Sequence, residues 1–328
     1  MSCKISHVSK SCLTFPRLGI VAACLAVVVG TSTCAVAQKD KDKEKERLLR
    51  TDDGWQIPIT YYESKKKKDA AVVVLLHMKG GNRLVWQNGF AQRMNNLGYA
   101  VITVDLRHHG RAKSPQDLLN ALGQANKGKA ANAKGDLKKA DFQSMVTQDL
   151  EAVKKFIYEE HQKKMLNMRK LAIVAPEMSA PIALNYTVLD WSKRPHPDGA
   201  NDRLRTPRGQ DVQAIVLISP DSSCPGVSTT PALMKNIKRA PISFLVCVGE
   251  KDTRDKKQAR RLFDQMGGKI KKKGDERGKF YQAYPVKLRG TDLLGKNLRT
   301  EAHILGFLEK YLNKLDTEWR NRQSKLTR

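Results

Sequence analysis

The stretch from Lys170 to Asp190 (KLAIVAPEMSAPIALNYTVLD) limits the folds open to this chain more than any other. Leu171 to Val174 is a short, continuous apolar run of the kind found in a strand buried on both faces. Met178, Ile182, Ala183 and Tyr186 then recur at helical spacing. Small residues crowd the few positions between them, so the chain turns sharply from strand into helix. A strand buried on both faces needs helices on both sides of its sheet, which points to a parallel α/β architecture.

The same pattern recurs upstream. Ala70 to His77 (AAVVVLLH) reads as a fully buried strand ending in the loop Met78 to Arg83, Trp86 to Leu97 as a helix stopped by Gly98, and Tyr99 to Asp105 as the next strand. Successive strand-loop-helix units imply right-handed crossovers and a parallel sheet. Before them, Arg47 to Thr51 and Trp55 to Glu63 flank Asp52-Asp53-Gly54 and predict a hairpin, because Asp-Gly between alternating residues favours a tight turn. Downstream, Asp141 caps a helix whose Phe142, Met145, Val146, Leu150, Val153, Phe156 and Ile157 form one apolar stripe. Trp191 to Arg208 is a loop, Val212 to Ser219 and Ile242 to Gly249 are strands, Asp255 to Met266 is a helix, Phe280 to Leu288 a strand and Leu298 to Leu312 the last helix. The expected fold is a doubly wound, mostly parallel sheet with helices on both faces, over residues 47–315.

Segments outside that pattern have their own signatures. Residues 1–37 read as a secretory signal peptide: Lys4, Lys10 and Arg17 precede an apolar run from Leu18 to Val29, and Ala35-Val36-Ala37 before Gln38 fits a small-residue cleavage site. The run is short for a membrane span and continues past Cys24, so export takes precedence over an uncleaved anchor or lipidation. Residues 38–46 read as a charged linker and 113–139 as a basic insertion loop with Lys127, Lys129, Lys134, Lys138 and Lys139. Residues 316–328 read as a basic tail expected to fray. Of the six cysteines only Cys224 and Cys247 lie beyond the signal, and in an oxidising compartment they either pair or stay as thiols. No Cys/His spacing marks a metal site and no motif calls for a cofactor. The formal charge of +27 reads either as the solvated surface of a generally basic protein or as a field that attracts an anionic polymer or a membrane surface, and no specific nucleic-acid motif accompanies it.

Several separated segments together resemble the α/β-hydrolase superfamily of serine hydrolases and esterases. His77-Met-Lys-Gly-Gly81 resembles the His-Gly loop after its third strand, and Val104 to Arg111 (VDLRHHGR) its D-x-R-G-H-G-x-S segment after the fourth. Leu217 to Pro220 and Val248 to Asp252 resemble the ends of its sixth and seventh strands. Ala175-Pro-Glu-Met-Ser179 falls where the family carries G-x-S-x-G, a strained turn that lifts a nucleophile above the sheet. The resemblance, spanning roughly residues 47 to 315, implies the α/β-hydrolase fold and chemistry at the carboxyl ends of the strands. On that register Glu177 holds the nucleophile position and Asp252 the acid position. The histidine belongs in the loop Arg289 to Leu293, around Thr291, and none is there; His303 lies within the last helix among apolar residues. The resemblance also implies the backbone N–H groups of Lys79 and Met178 as oxyanion donors, with Met78 in place of a glycine. His77, Met78, His109 and Ser179 are the pocket candidates, Ser179 either as a displaced nucleophile or as a first-turn residue of the helix.

A serine hydrolase needs a nucleophile, a base and an orienting acid, and losing the base removes most of the catalysis. This chain keeps the acid alone. It reads as an exported pseudohydrolase that works by binding, through a small molecule in the hydrolase pocket or an anionic partner on the basic surface. The enzymatic alternative is a carboxylic-ester or related hydrolase with Glu177 as a non-standard nucleophile and His77 or His109 near it. The bland reading of Glu177 is an ion pair with a nearby Lys or Arg at a helix N-terminus.

Overall fold

The structure is a computed structural model, and it describes residues 44–327 apart from Asn88, residues 124–136, Lys256 and residues 270–277. The expected signal peptide, most of the linker, and Lys127, Lys129 and Lys134 lie outside the described residues. The Asp53-Gly54 turn joins β1 (Glu44–Arg50) to β2 (Gln56–Tyr62), antiparallel from Glu44 opposite Tyr62 to Arg50 opposite Gln56. The strand begins earlier than expected: Glu44, Lys45 and Glu46 belong to it, not to a solvated linker. Their charges are matched across the fold, Lys45 by Glu63 at 2.7 Å and Glu46 by Arg83 at 2.6 Å.

The sheet continues with β3 (Val72–Leu75), β4 (Ala100–Val104), β5 (Leu171–Pro176), β6 (Val212–Ile218), β7 (Ser243–Gly249) and β8 (Lys279–Tyr284), in the spatial order β1-β2-β4-β3-β5-β6-β7-β8. β2 is antiparallel to β4, and every pair from β4 to β8 is parallel. The helices are α1 (Phe90–Asn96), α2 (Pro115–Gly123), α3 (Lys139–Ser144), α4 (Leu150–Gln162), α5 (Ser179–Ser192), α6 (Pro231–Arg239), α7 (Gln258–Gln265) and α8 (Thr300–Leu308). A π-turn, Met145–Asp149, joins α3 to α4.

Period-two alternation explains the layering. Val72 and Val74 of β3 face one core, with Phe142, Phe156, Ile182, Ile237 and Leu262 from the helices α3 to α7. Val73 and Leu75 face the other, with Phe90, Met94, Ile304 and Phe307 from α1 and α8. Strands buried on both faces cannot alternate polar and apolar residues, hence the continuous apolar runs of β3 to β7.

Two further expectations need correction, and a third question, left open by the sequence, is decided. The 113–139 segment is not loop throughout: Ser114 and Asp117 form a capping pair, Asp117 N–H to Ser114 Oγ at 3.1 Å and Ser114 N–H to Asp117 Oδ2 at 2.8 Å, and start α2 with Pro115 in its first turn. The tail does not fray in its described part. Trp319 stacks on His161 with ring centroids 5.0 Å apart, and Arg322 is buried against Asp211. Its basic composition hid one arginine that serves as the partner of a buried carboxylate. Cys224 and Cys247 are both free thiols, and burial pushes each up to about 12.

Candidate functional site

β5 runs into α5 through Glu177, whose φ of 45° is a left-handed conformation that costs a residue with a Cβ on the order of 1 kcal/mol. Three backbone hydrogen bonds hold it there. The Glu177 N–H donates to the Ile218 carbonyl at 3.0 Å, and its own carbonyl accepts from the N–H groups of Ala180 at 3.0 Å and Asp221 at 3.2 Å. The strained strand-to-helix turn is therefore present, with a carboxylate at its tip. Ser179, by contrast, is fully buried, and its hydroxyl donates to the His77 carbonyl at 2.5 Å. It ties the first turn of α5 to the loop after β3.

The loop after β8 supplies what the spacing could not show. Arg289, not Thr291, faces the acid and the nucleophile position. Its Nε lies 3.1 Å from Glu177 Oε1, its Nη1 donates to Asp252 Oδ2 at 2.8 Å, and its Nη2 bonds Asp221 at the end of β6. Arg254 approaches the same Glu177 oxygen at 3.7 Å. Thr291 instead lies against Met78, its Oγ1 3.6 Å from the sulfur. Gly290 has a φ of 54°, and a Cβ there would stand 3.0 Å from both Glu177 Oε1 and Met78 Sδ, so the loop, Met78 and Glu177 are in close contact. Asp221, Arg254 and Arg289 are the site residues that sequence reasoning missed. Asp221 and Arg254 stand near the ends of apolar runs, a usable signal, whereas nothing local marks Arg289 as a bridge.

Burial pushes the Glu177 carboxyl above its ordinary range, with Arg289 and then Arg254 pulling it back. Asp221 is raised in the same way, by burial first, against Arg289. Burial alone would lower Arg289, but its hydrogen bond to Asp252 and the charges of Asp221 and Glu177 outweigh that and raise it. The three carboxylates enclose a guanidinium. Among the described residues, no group of three or more His, Cys, Asp or Glu side chains is placed to hold a metal ion.

The remaining candidates buttress the loops. His77 is fully buried. Its Nε2 accepts the Leu106 N–H at 3.1 Å and its Nδ1 faces the Met78 carbonyl at 2.9 Å, which makes it a neutral ring protonated on Nδ1. His109 packs on it at 4.6 Å, with its Nδ1 2.9 Å from the Arg107 carbonyl. Both were expected as pocket groups; His77 links the β3 and β4 loops through Met78 and Leu106, and His109 packs against it. His303 bonds the Tyr284 hydroxyl at 2.9 Å, within α8 as expected. The backbone N–H groups of Lys79 and Met178 have no acceptor among the described residues, Lys79 in an exposed turn and Met178 at the start of α5.

Burial, followed by the nearby His109, pushes His77 down to about 4. A histidine whose folded value lies below its unfolded one takes up protons on unfolding, so its share of stability is complete above pH 6.5 and is lost as pH falls toward 4. By pH 5 that share is about 2 kcal/mol, or roughly 4–8 °C in Tm for a domain of this size. Thermal melts between pH 7.5 and pH 5, in wild type and His77→Asn, should show about this much flattening in the variant; parallel curves would contradict a neutral buried His77.

No protein-family model matches the sequence, and no curated protein matches it. Solved structures do. The chain is similar to a dienelactone hydrolase from Anabaena variabilis, 11% identical over 82% of this chain and 99% of that one, with a TM-score of 0.53. It is equally similar to an esterase from Pyrococcus furiosus, 11% identical over 87% of this chain and 98% of that one, also with a TM-score of 0.53. At this identity the likeness establishes architecture: the chain has the α/β-hydrolase fold.

Proposed function

We propose that this protein is an exported hydrolase-fold protein that no longer hydrolyses and instead works by binding. One observation carries the reading: a guanidinium bonded to Glu177, Asp252 and Asp221 stands where a base would have to stand. Arginine stays protonated in proteins and has no lone pair to accept a proton, so it can activate neither a nucleophile nor a water. Glu177, if it attacked an ester, would still need a base to hydrolyse the resulting acyl-enzyme. The imidazole of His77 has both nitrogens engaged with backbone groups. Export is part of the reading on the strength of the basic and apolar leader of residues 1–37. Binding, through the old pocket or the basic surface, is what a fold with an ion-paired site and a net charge of +24 beyond residue 37 retains.

The test is hydrolysis of short-chain p-nitrophenyl esters by wild type, Glu177→Gln and Asp252→Asn side by side. All three are expected to match the buffer blank. Turnover by wild type that Glu177→Gln abolishes would overturn the reading in favour of a carboxylate nucleophile.

A further inference from the structure

A second concentration of charge lies at the amino ends of the central strands, the opposite end of the sheet from Glu177. Asp211 immediately precedes β6, Asp190 lies in the last turn of α5, and both are fully buried. Lys154 of α4 contacts both carboxylates, and Arg322 of the tail grips Asp211 with two nitrogens. Over this network opens a cavity of about 190 Å³ whose lining includes Lys154, Lys155, Tyr158, Lys193, Arg208 and Arg322.

The charges in its wall do not cancel. Lys154 and Arg322 are matched by Asp190 and Asp211, and Lys193 is matched by Glu151, with both carboxylate oxygens at 2.6 Å. Lys155 and Arg208 remain, both exposed and neither with a carboxylate in ion-pair reach among the described residues. The backbone on both sides of Arg208 is pinned. Arg322 Nε donates to the Pro207 carbonyl at 3.0 Å and Nη2 to the Gly209 carbonyl at 3.1 Å. Two unmatched cations in the lining, over a wall whose carboxylates are already engaged, suit an oxyanion. The volume lies below the roughly 300–1,000 Å³ of sites for drug-sized ligands, which points to a single small charged group.

We propose that this amino-end cavity binds a phosphate group, as the free ion or as the terminal phosphomonoester of a larger molecule, with Lys155 and Arg208 as its ligands. The proposal shares no residue with the hydrolase position and stands whether or not that position is active. Calorimetric titration of the full chain with inorganic phosphate at fixed ionic strength tests it. A single saturable site is expected, weakened about tenfold or more in Lys155→Ala/Arg208→Ala at unchanged Tm, since both side chains are exposed and charge-assisted contacts are lost. Lys65→Ala/Lys68→Ala removes the same charge from the exposed loop after β2 and should leave Kd within about twofold. Binding that does not saturate, or that weakens equally in both double variants, would overturn the site and leave only the general field of a basic protein. A sugar phosphate that competes at similar affinity supports the phosphomonoester as the source, and a sugar phosphate that fails to compete supports the free ion.

Discussion

Arg289→Met is expected to lower the unfolding free energy by about 3–5 kcal/mol at pH 7, the usual result of removing one partner from a buried ionic cluster. The guanidinium is the shared partner of Glu177, Asp252 and Asp221, whose side chains are 14%, 5% and 32% exposed. Without it, carboxylates left with little besides Arg254 repel one another and lose the hydrogen bonds that offset their desolvation. Most of the loss falls on Asp252 and Glu177, because Asp221 keeps access to water. The effect has a sign in pH. Glu177 and Asp221 already lie above their ordinary range through burial, and losing Arg289 raises them further. The folded variant then holds more protons than the unfolded chain, so its stability falls as pH rises. Urea melts should therefore show a smaller deficit near pH 4.5 than at pH 7. Arg289→Lys should recover only part of it, because a point charge cannot bond three carboxylates through one planar fork. Equal stability of Arg289→Met and wild type at both pH values would show that the cluster contributes nothing to the fold.

At the other end of the sheet, Lys154→Met should be as costly, about 3–5 kcal/mol. Lys154 is 5% exposed, lies 2.7 Å from Asp211 and also bonds Asp190. Asp211 would keep Arg322, but Asp190 would lose its only cation among the described residues and retain just the N–H groups of Asp211 at 2.7 Å and Val212 at 3.1 Å. Asp190→Asn keeps an acceptor for those donors without the charge. Lys154→Met/Asp190→Asn is therefore expected to be more stable than the sum of the two losses predicts, by roughly 1–3 kcal/mol. Simple additivity in denaturant melts would mean that the pair is not coupled.

The two networks were legible in the sequence to different degrees. Glu177 announced itself, because the apolar strand before it and the small-residue helix start after it fix its position to within a residue. Its ion pair was one of the readings open from sequence. Which cation makes it was not, since the family pattern calls for an imidazole in the loop Arg289 to Leu293 and nothing local distinguishes Arg289 from the other arginines of a basic chain. The hairpin at Asp53-Gly54 followed from turn chemistry, but the charged residues before it looked like linker because their partners, Glu63 and Arg83, lie on other elements. The Ser114 to Asp117 capping pair is written in the sequence, but the basic composition around it carries the opposite signal, that of a solvated loop.

Periodicity and turn residues act between neighbours in the chain, so the sequence by itself determined the doubly wound sheet, its strands and the elbow that carries Glu177. Ion pairing acts through space, across 37 residues from Asp252 to Arg289, 68 from Asp221 to Arg289 and 111 from Asp211 to Arg322. Only the tertiary structure, by stacking the strand ends side by side, decided that an arginine would close the hydrolase position and that a basic tail would become a buried clamp.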